Sequence, residues 1–178
     1  MNRQLFLGLV LVVTPLSSAV ADVWRDAESK IQRLAPAAFK ELPIDFVSEL
    51  ERRGCTIPQP HREAVYALPR NVLSGQFAAK GQQDWAVLCS RKGTSAILIF
   101  WGGPNTCPTP INEEKDELFL QGLTTEIGYS RGISAVTRTR GPEPVVLEHH
   151  AVEDAFLGKH SGISYCDKGE WKSLVGGD

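Results

Sequence analysis

The sequence predicts an α+β protein in which N-terminal helices pack on an antiparallel β-sheet that is stabilised by disulfides. Three observations lead to this prediction. Apolar residues recur at helical spacing over residues 24–54. Short apolar runs separated by Gly, Pro, Ser and Thr fill residues 65–175. Four cysteines all follow an apolar N-terminal run, and an even number of cysteines in an exported chain is normally paired.

The N-terminus has the features of a secretory signal peptide. Arg3 is the only charge before an apolar run from Leu5 to Val13, and Ala19-Val20-Ala21 is a small-x-small cleavage site. The run is too short for a membrane-spanning helix, which needs about 20 residues. We therefore expect cleavage after Ala21. The remaining residues, 22–178, are predicted to form a single α+β domain, periplasmic or secreted, without an integral membrane segment.

The charge balance argues against a nucleic-acid partner. The chain carries 19 Lys and Arg against 21 Asp and Glu, a formal net charge of −2. Signal cleavage removes only Arg3, which makes the remainder more acidic. Proteins that neutralise phosphates depend on an excess of basic residues. We therefore expect no nucleic acid among the partners.

Two helices are predicted in the N-terminal region. The first begins near residue 24 and ends or kinks at Pro36, because its apolar residues lie four and three positions apart: Ala27, Ile31 and Leu34. The second begins near Pro43, a residue suited to a first helical turn, and stops at Gly54, which suits the position just after a helix. Both would cover a sheet.

The strands are predicted from alternation and turn residues. The best are 84–90 and 94–101, which are joined by a short turn and carry apolar side chains on one or both faces. Asp167-Lys168-Gly169 joins the clearest hairpin. The other segments are two further strands at 133–139 and 144–150, the hairpin strands at 162–166 and 170–175, an irregular loop at 101–112 and a charged stretch at 113–120 that suits a short helical turn or a solvated face.

The four cysteines, Cys55, Cys89, Cys107 and Cys166, are predicted to form two disulfides. No C-x-x-C spacing occurs, which argues against a thioredoxin-type redox site or a zinc ribbon. Three connectivities are possible. We favour Cys55 with Cys89 and Cys107 with Cys166, because each bridge would then tie an irregular segment to a strand.

Residues 75–87, GQFAAKGQQDWAV, resemble the FG-GAP (VCBS-like) repeat, whose pattern is roughly G-D-F-N-G-D-G-x-x-D-L-x-V. The match consists of Gly75, Phe77, Gly81, Asp84 and Val87. In addition, the segment HHAVEDAFLGKHSGISYCDKGEW is similar to the C-terminal hairpin of uncharacterised secreted bacterial proteins that carry such a loop. The first likeness implies a calcium-type loop, and the second implies no known activity.

This loop has lost most of the calcium ligands that the resemblance implies. Gln76, Ala78 and Lys80 occupy the alternating acidic positions, so that only Asp84 remains as a carboxylate. We therefore expect no calcium and no other cofactor. Either the Lys80 ammonium pairs with Asp84 in place of the ion, or Lys80 points into solvent. A propeller needs at least four blades, so one such loop predicts a single compact sheet with helical cover.

No catalytic residue is assigned from the sequence. The acidic and histidine residues between 148 and 160 are zinc-type ligands, but their spacing does not converge them on one ion: Glu148, His149, His150, Glu153, Asp154 and His160. No G-x-S-x-G elbow occurs either. We therefore expect no metal.

Three aromatic residues, Trp101, Tyr129 and Trp171, are possible contacts for a sugar or a peptide. The leading prediction is a non-catalytic envelope protein that binds a protein or glycan partner near residues 101–112. The alternatives are a periplasmic hydrolase that uses residues 148–160 and a secreted enzyme inhibitor.

Overall fold

A computed structural model describes residues 17–62, 69–140 and 143–177 of the chain. Most of the predicted signal peptide, residues 1–16, lies outside the described residues. Within them, no helix is both long enough and apolar enough to cross a membrane.

The described chain is mostly β-structure. Two α-helices are present, α1 (Ser17–Ser29) and α2 (Ile44–Arg52), and 3-10 turns cover Pro36–Ala38 and Asp116–Phe119. The strands are β1 (Arg33–Leu34), β2 (Ile57–Pro58), β3 (Val72–Gly75), β4 (Asp84–Arg91), β5 (Thr94–Phe100), β6 (Ile111–Lys115), β7 (Leu120–Gly122), β8 (Ile127–Tyr129), β9 (Arg131–Arg138), β10 (Val146–Phe156), β11 (His160–Asp167) and β12 (Glu170–Val175).

The strands form two four-stranded antiparallel sheets. The first sheet has the order β3-β4-β5-β6 and the second has the order β12-β11-β10-β9, with β1-β2 and β7-β8 as separate two-stranded ribbons. The antiparallel prediction is confirmed, whereas the expectation of one compact sheet is wrong. The β4-β5 and β11-β12 hairpins each close through a Lys-Gly turn with positive φ at both residues, Lys92-Gly93 and Lys168-Gly169. Positive φ at both positions matches the right-handed twist of the strands.

The two sheets pack face to face. The core between them contains buried side chains from β4, β5, β9 and β10: Ala86, Leu88, Ile97, Ile99, Ile133 and Val152. Phe77, which is fully buried, joins this core from the loop after β3. One face of β4 and β5 is therefore covered by the second sheet.

The other face of the first sheet is partly covered by α2. Val47 and Leu50 of this helix pack with Val87, Cys89 and Leu98 of the sheet. The Phe46 ring stacks on Phe100 at 4.6 Å between ring centroids.

Residues 24–54 are less helical than the apolar spacing predicts. Helix α1 ends at Ser29, and Arg33 and Leu34 form β1, which pairs with β2. Pro36 begins a 3-10 turn. The spacing of four and three residues would place Leu34 on the apolar face of a helix. A residue in an extended conformation can bury its side chain equally well, and pairing with β2 provides the hydrogen bonds of the Leu34 backbone. Periodicity over so few residues does not distinguish the two.

The two predicted disulfides are present, with the favoured pairing. Cys55 bonds to Cys89, with 5.2 Å between Cα atoms, and Cys107 bonds to Cys166, with 6.0 Å. Each ties a loop to a strand. In the chain-entropy model, closing loops of this length stabilises the fold by about 4 kcal/mol each.

A buried ion pair also links the two sheets. Arg131 of β9 is fully buried and donates to both carboxylate oxygens of Asp154, at 3.0 and 2.8 Å. The same guanidinium donates to the Ser95 carbonyl of β5 at 3.0 Å. Removing one member of such a pair costs about 3–5 kcal/mol.

The charged stretch 113–120 is not uniformly solvated. Asp116 is fully buried and accepts hydrogen bonds from Arg33 at 2.7 Å and from Ser90 at 2.6 Å. The predicted short turn is found at Asp116–Phe119. The exposed residues of this stretch are Glu113, Glu114, Lys115, Glu117 and Leu118.

Candidate functional site

An open groove of about 830 Å³ lies on the outer face of the first sheet, beyond the end of α2. Its floor consists of Cys89, Ala96 and Leu98, which register places on one face of β4 and β5. Pro110, from the end of the loop after β5, forms part of the wall. The groove exists because α2 covers the Phe100 end of this face and stops at Arg52, leaving the hairpin end open.

Four basic side chains border this groove. Arg52 and Arg53 come from the end of α2. Arg91 is the last residue of β4, and Lys92 lies in the turn between β4 and β5. Glu113 of β6 is the acidic residue in the lining. We refer to this cavity, with its apolar floor and cationic rim, as the basic groove.

The two arginines of α2 are already paired with a carboxylate. Glu49 accepts from Arg52 Nε at 2.8 Å and from Arg53 Nε at 2.7 Å. These hydrogen bonds lower the pKa of Glu49 to about 2. In the described part of the chain, Arg91 and Lys92 have no carboxylate partner within ion-pair distance, so they carry the excess positive charge of the rim.

The basic groove combines charged hydrogen-bond donors with an apolar floor. Its lining contains no histidine and no pair of carboxylates that would move a proton. It offers guanidinium and ammonium donors around a dry, aliphatic and sulfur-containing surface. Clefts of this size, about 300–1,000 Å³, are typical of ligand sites.

The loop at residues 75–87 is held by the buried Asp84 carboxylate. One oxygen accepts from the backbone N–H groups of Phe77 and Ala78, at 2.8 and 3.2 Å. The other accepts from Gln82 Nε2 at 2.7 Å and from the Gly102 N–H at 2.9 Å. The lone pairs of this carboxylate therefore point at protein donors.

The structure favours the solvent alternative for Lys80. Its side chain is exposed, and over the described ranges no salt bridge joins it to Asp84. Gln76 instead stabilises the turn, because its Oε1 accepts from the Gly81 N–H at 2.9 Å. Backbone donors, rather than a lysine, occupy the surroundings of the one remaining acidic position.

The three aromatic residues predicted as contacts lie in different places. Tyr129 is only 3% exposed and packs with α1, so its ring is not available at the surface. The short strand β8 turns this ring toward the interior. Trp101 and Trp171 are half-buried and lie 6.1 Å apart between ring centroids, and Trp171 Nε1 donates to the Pro108 carbonyl at 2.6 Å. This pair connects the two sheets next to the loop 101–112.

The acidic and histidine residues between 148 and 160 do not converge. His150 Nδ1 accepts from the Gln76 N–H at 2.9 Å, and His149 stacks on Tyr165 at 4.4 Å. Asp154 is paired with the buried Arg131 in the interior. No cluster of three or more His, Cys, Asp or Glu suited to a metal ion occurs among the described residues.

Glu153 lines a second, smaller cavity of about 320 Å³ on the outer face of the second sheet. This carboxyl group is 3% exposed and accepts from Ser134 Oγ at 2.7 Å and from Ser161 Oγ at 2.8 Å. His160 lines the same cavity, and Arg140 lies 3.4 Å from Glu153. The sequence analysis did not link the two serines to Glu153, because they lie on separate strands.

Fold and site together define a disulfide-linked protein of two facing antiparallel sheets, with a basic groove on one outer face. Comparison with protein-family models, curated proteins and solved structures finds no match to the chain.

Proposed function

We propose that the protein is a non-catalytic binding module, periplasmic or secreted, that recognises a protein or glycan partner through the basic groove and the adjoining loop 101–112. The carrying observation is the groove itself, an open cavity of about 830 Å³ with an apolar floor and four cations at its rim. Two disulfides support an oxidising compartment. The predicted signal peptide and cleavage after Ala21 agree with export.

We also infer that the helical N-terminal region acts as the cover of the first sheet. Helix α2 buries Val47 and Leu50 against it. A cover that ends at Arg52 leaves the groove open to a partner.

The loop at 75–87 fits this function as a structural element. We propose that it is a relative of the FG-GAP calcium loop in which Asp84 binds backbone donors instead of an ion. Its contacts reach Gly102 at 2.9 Å, and Gln82 Nε2 also donates to the Asn105 carbonyl at 2.7 Å. The loop thereby helps to fix the start of the loop 101–112.

Inhibition of an enzyme would be one form of such binding. The exposed residues Asn105 and Thr106 lie beside Cys107, whose disulfide to Cys166 fixes the loop. A loop that is ordered before binding loses less conformational entropy when it docks.

Crosslinking from the groove tests the proposal. A photoreactive p-benzoylphenylalanine replaces Thr94, which lines the groove, and a matched control replaces Lys168 in the equivalent turn of the second sheet. After irradiation in the native compartment, we expect a discrete adduct from position 94 that is absent from position 168. Identical adducts at both positions, or none at either, would contradict the proposal.

A hydrolase remains the second proposal, and one observation favours it. Glu153, Ser161 and His160 line one cavity, and the serine hydroxyl donates to the carboxylate. Hydrolysis of esters or glycosides that is abolished by Glu153→Gln with an unchanged melting temperature would support it. Equal hydrolysis by the wild type and by Glu153→Gln would remove it.

A further inference from the structure

We propose that the basic groove binds an acidic peptide segment of a protein partner, with an apolar side chain of that segment resting on the groove floor. This inference rests on the proposed function and names the chemistry of the partner.

The first argument is charge complementarity. The whole chain has a formal net charge of −2, yet four basic side chains border this one groove with Glu113 as the acidic residue of the lining. Arg52 and Arg53 share Glu49, so Arg91 and Lys92 are the cations available to a ligand. An acidic group would face these two residues, at the end of β4 and in the turn that follows it, and would avoid Glu113 on β6. Such a field raises the association rate of an acidic partner.

The second argument is the floor. Cys89, Ala96 and Leu98 are 5%, 9% and 7% exposed, and they present methyl groups and sulfur rather than hydrogen-bonding groups. No aromatic ring lines the groove, so it offers no platform for stacking a sugar. An aliphatic side chain on this floor would remove mainly its own apolar surface from water, because the floor residues are already almost fully buried. The groove therefore suits a segment that alternates acidic and apolar residues.

The test uses a fluorescein-labelled Glu-Leu-Glu-Leu-Glu-Leu peptide, with binding followed by fluorescence anisotropy. Two matched peptides replace either every Glu by Lys or every Leu by Ser. At about 20 mM salt, where screening is weak, we expect the Glu-Leu peptide to bind and the Lys-Leu peptide not to bind. The Glu-Ser peptide should bind at least about tenfold more weakly, since it has lost its apolar contact.

Charge reversal locates the site. The double variant Arg91→Glu/Lys92→Glu should weaken binding of the Glu-Leu peptide by about tenfold or more. Lys168→Glu is the matched control, because Lys168 is also exposed in a Lys-Gly turn with φ of 51° but lies on the second sheet. The control should leave the affinity unchanged. Melting temperatures establish that all variants are folded.

Three results would overturn the inference. Binding that the double variant leaves unchanged would show that the peptide sits elsewhere. Equal binding of the Glu-Leu and Glu-Ser peptides would show that the floor plays no part. If heparin binds more tightly than the Glu-Leu peptide, and if the double variant no longer binds heparin, the ligand of the groove is an anionic glycan.

The inference and the proposed function can fail separately. If position 94 captures a discrete partner while no acidic peptide binds, only the acidic-peptide chemistry is wrong. If neither crosslinking nor peptide binding is observed, the groove is not a binding site and both proposals fall.

Discussion

Replacing Asp84 by asparagine tests whether this carboxylate holds the loop at residues 75–87. Asp84 is fully buried and accepts four hydrogen bonds, from Phe77, Ala78, Gln82 and Gly102. In Asp84→Asn one of the two oxygens becomes an NH₂ group. Two of the four donors then lose their acceptor and face another donor instead. Because a buried unsatisfied donor costs about 1–3 kcal/mol, we expect the free energy of unfolding to fall by about 2–6 kcal/mol.

The assay is urea unfolding followed by tryptophan fluorescence, with Lys80→Ala as the matched control. Lys80 lies in the same loop but is exposed, so its removal should change the free energy of unfolding by less than about 0.5 kcal/mol. A loss below about 1 kcal/mol in Asp84→Asn would refute the reasoning, because the loop would then be held by other contacts. A rise of several degrees in the melting temperature on adding micromolar calcium would refute it in another way.

Three other outcomes are expected. Burial, and next the Asp116 carboxylate, raise the pKa of Tyr129. The contribution of the neutral phenol to the free energy of unfolding is therefore complete below about pH 10 and is lost as the pH rises further. Unfolding titrations at increasing pH should show a smaller loss of stability for Tyr129→Phe than for the wild type. Lys168→Asn should raise the free energy of unfolding by a few tenths to about 1 kcal/mol, because asparagine tolerates the positive φ of this turn better, and an unchanged or lower value would contradict this reason. Replacing Cys107 and Cys166 by serine should lower the free energy of unfolding by about 4 kcal/mol in urea titrations, whereas a loss below about 1 kcal/mol would show that the loop is ordered without the bond.

The parts of the fold that the sequence predicts are those set by local patterns. Alternation predicts β4 and β5, and the Lys168-Gly169 turn predicts the last hairpin, because strand faces and two-residue turns depend on neighbouring residues alone. The disulfide pairing also follows from which cysteines lie on strands. The packing of the two sheets against each other cannot be predicted from local patterns. It depends on a shared core of residues that are as far apart in sequence as Leu88 and Val152.

The candidate site was less predictable for the same reason. The groove combines the end of α2, one hairpin turn and the wall at Pro110, which are far apart in sequence. Arg131 gives no sequence signal of burial, because arginine is usually exposed, and its partners Ser95 and Asp154 lie on other strands. Pro110 lies within the loop 101–112, near which the sequence predicts partner binding. The floor residues beside Pro110 lie outside that loop and were not predicted as part of a site.

The loop around Asp84 has a consequence for where the protein can work. Its negative charge is matched by N–H groups that belong to the chain itself, including those of Phe77 and Gly102. Chelators, or changes in the concentration of divalent cations, should therefore leave the conformation of the loop unchanged. Any partner that contacts the neighbouring loop 101–112 would meet the same surface whether divalent cations are scarce or plentiful.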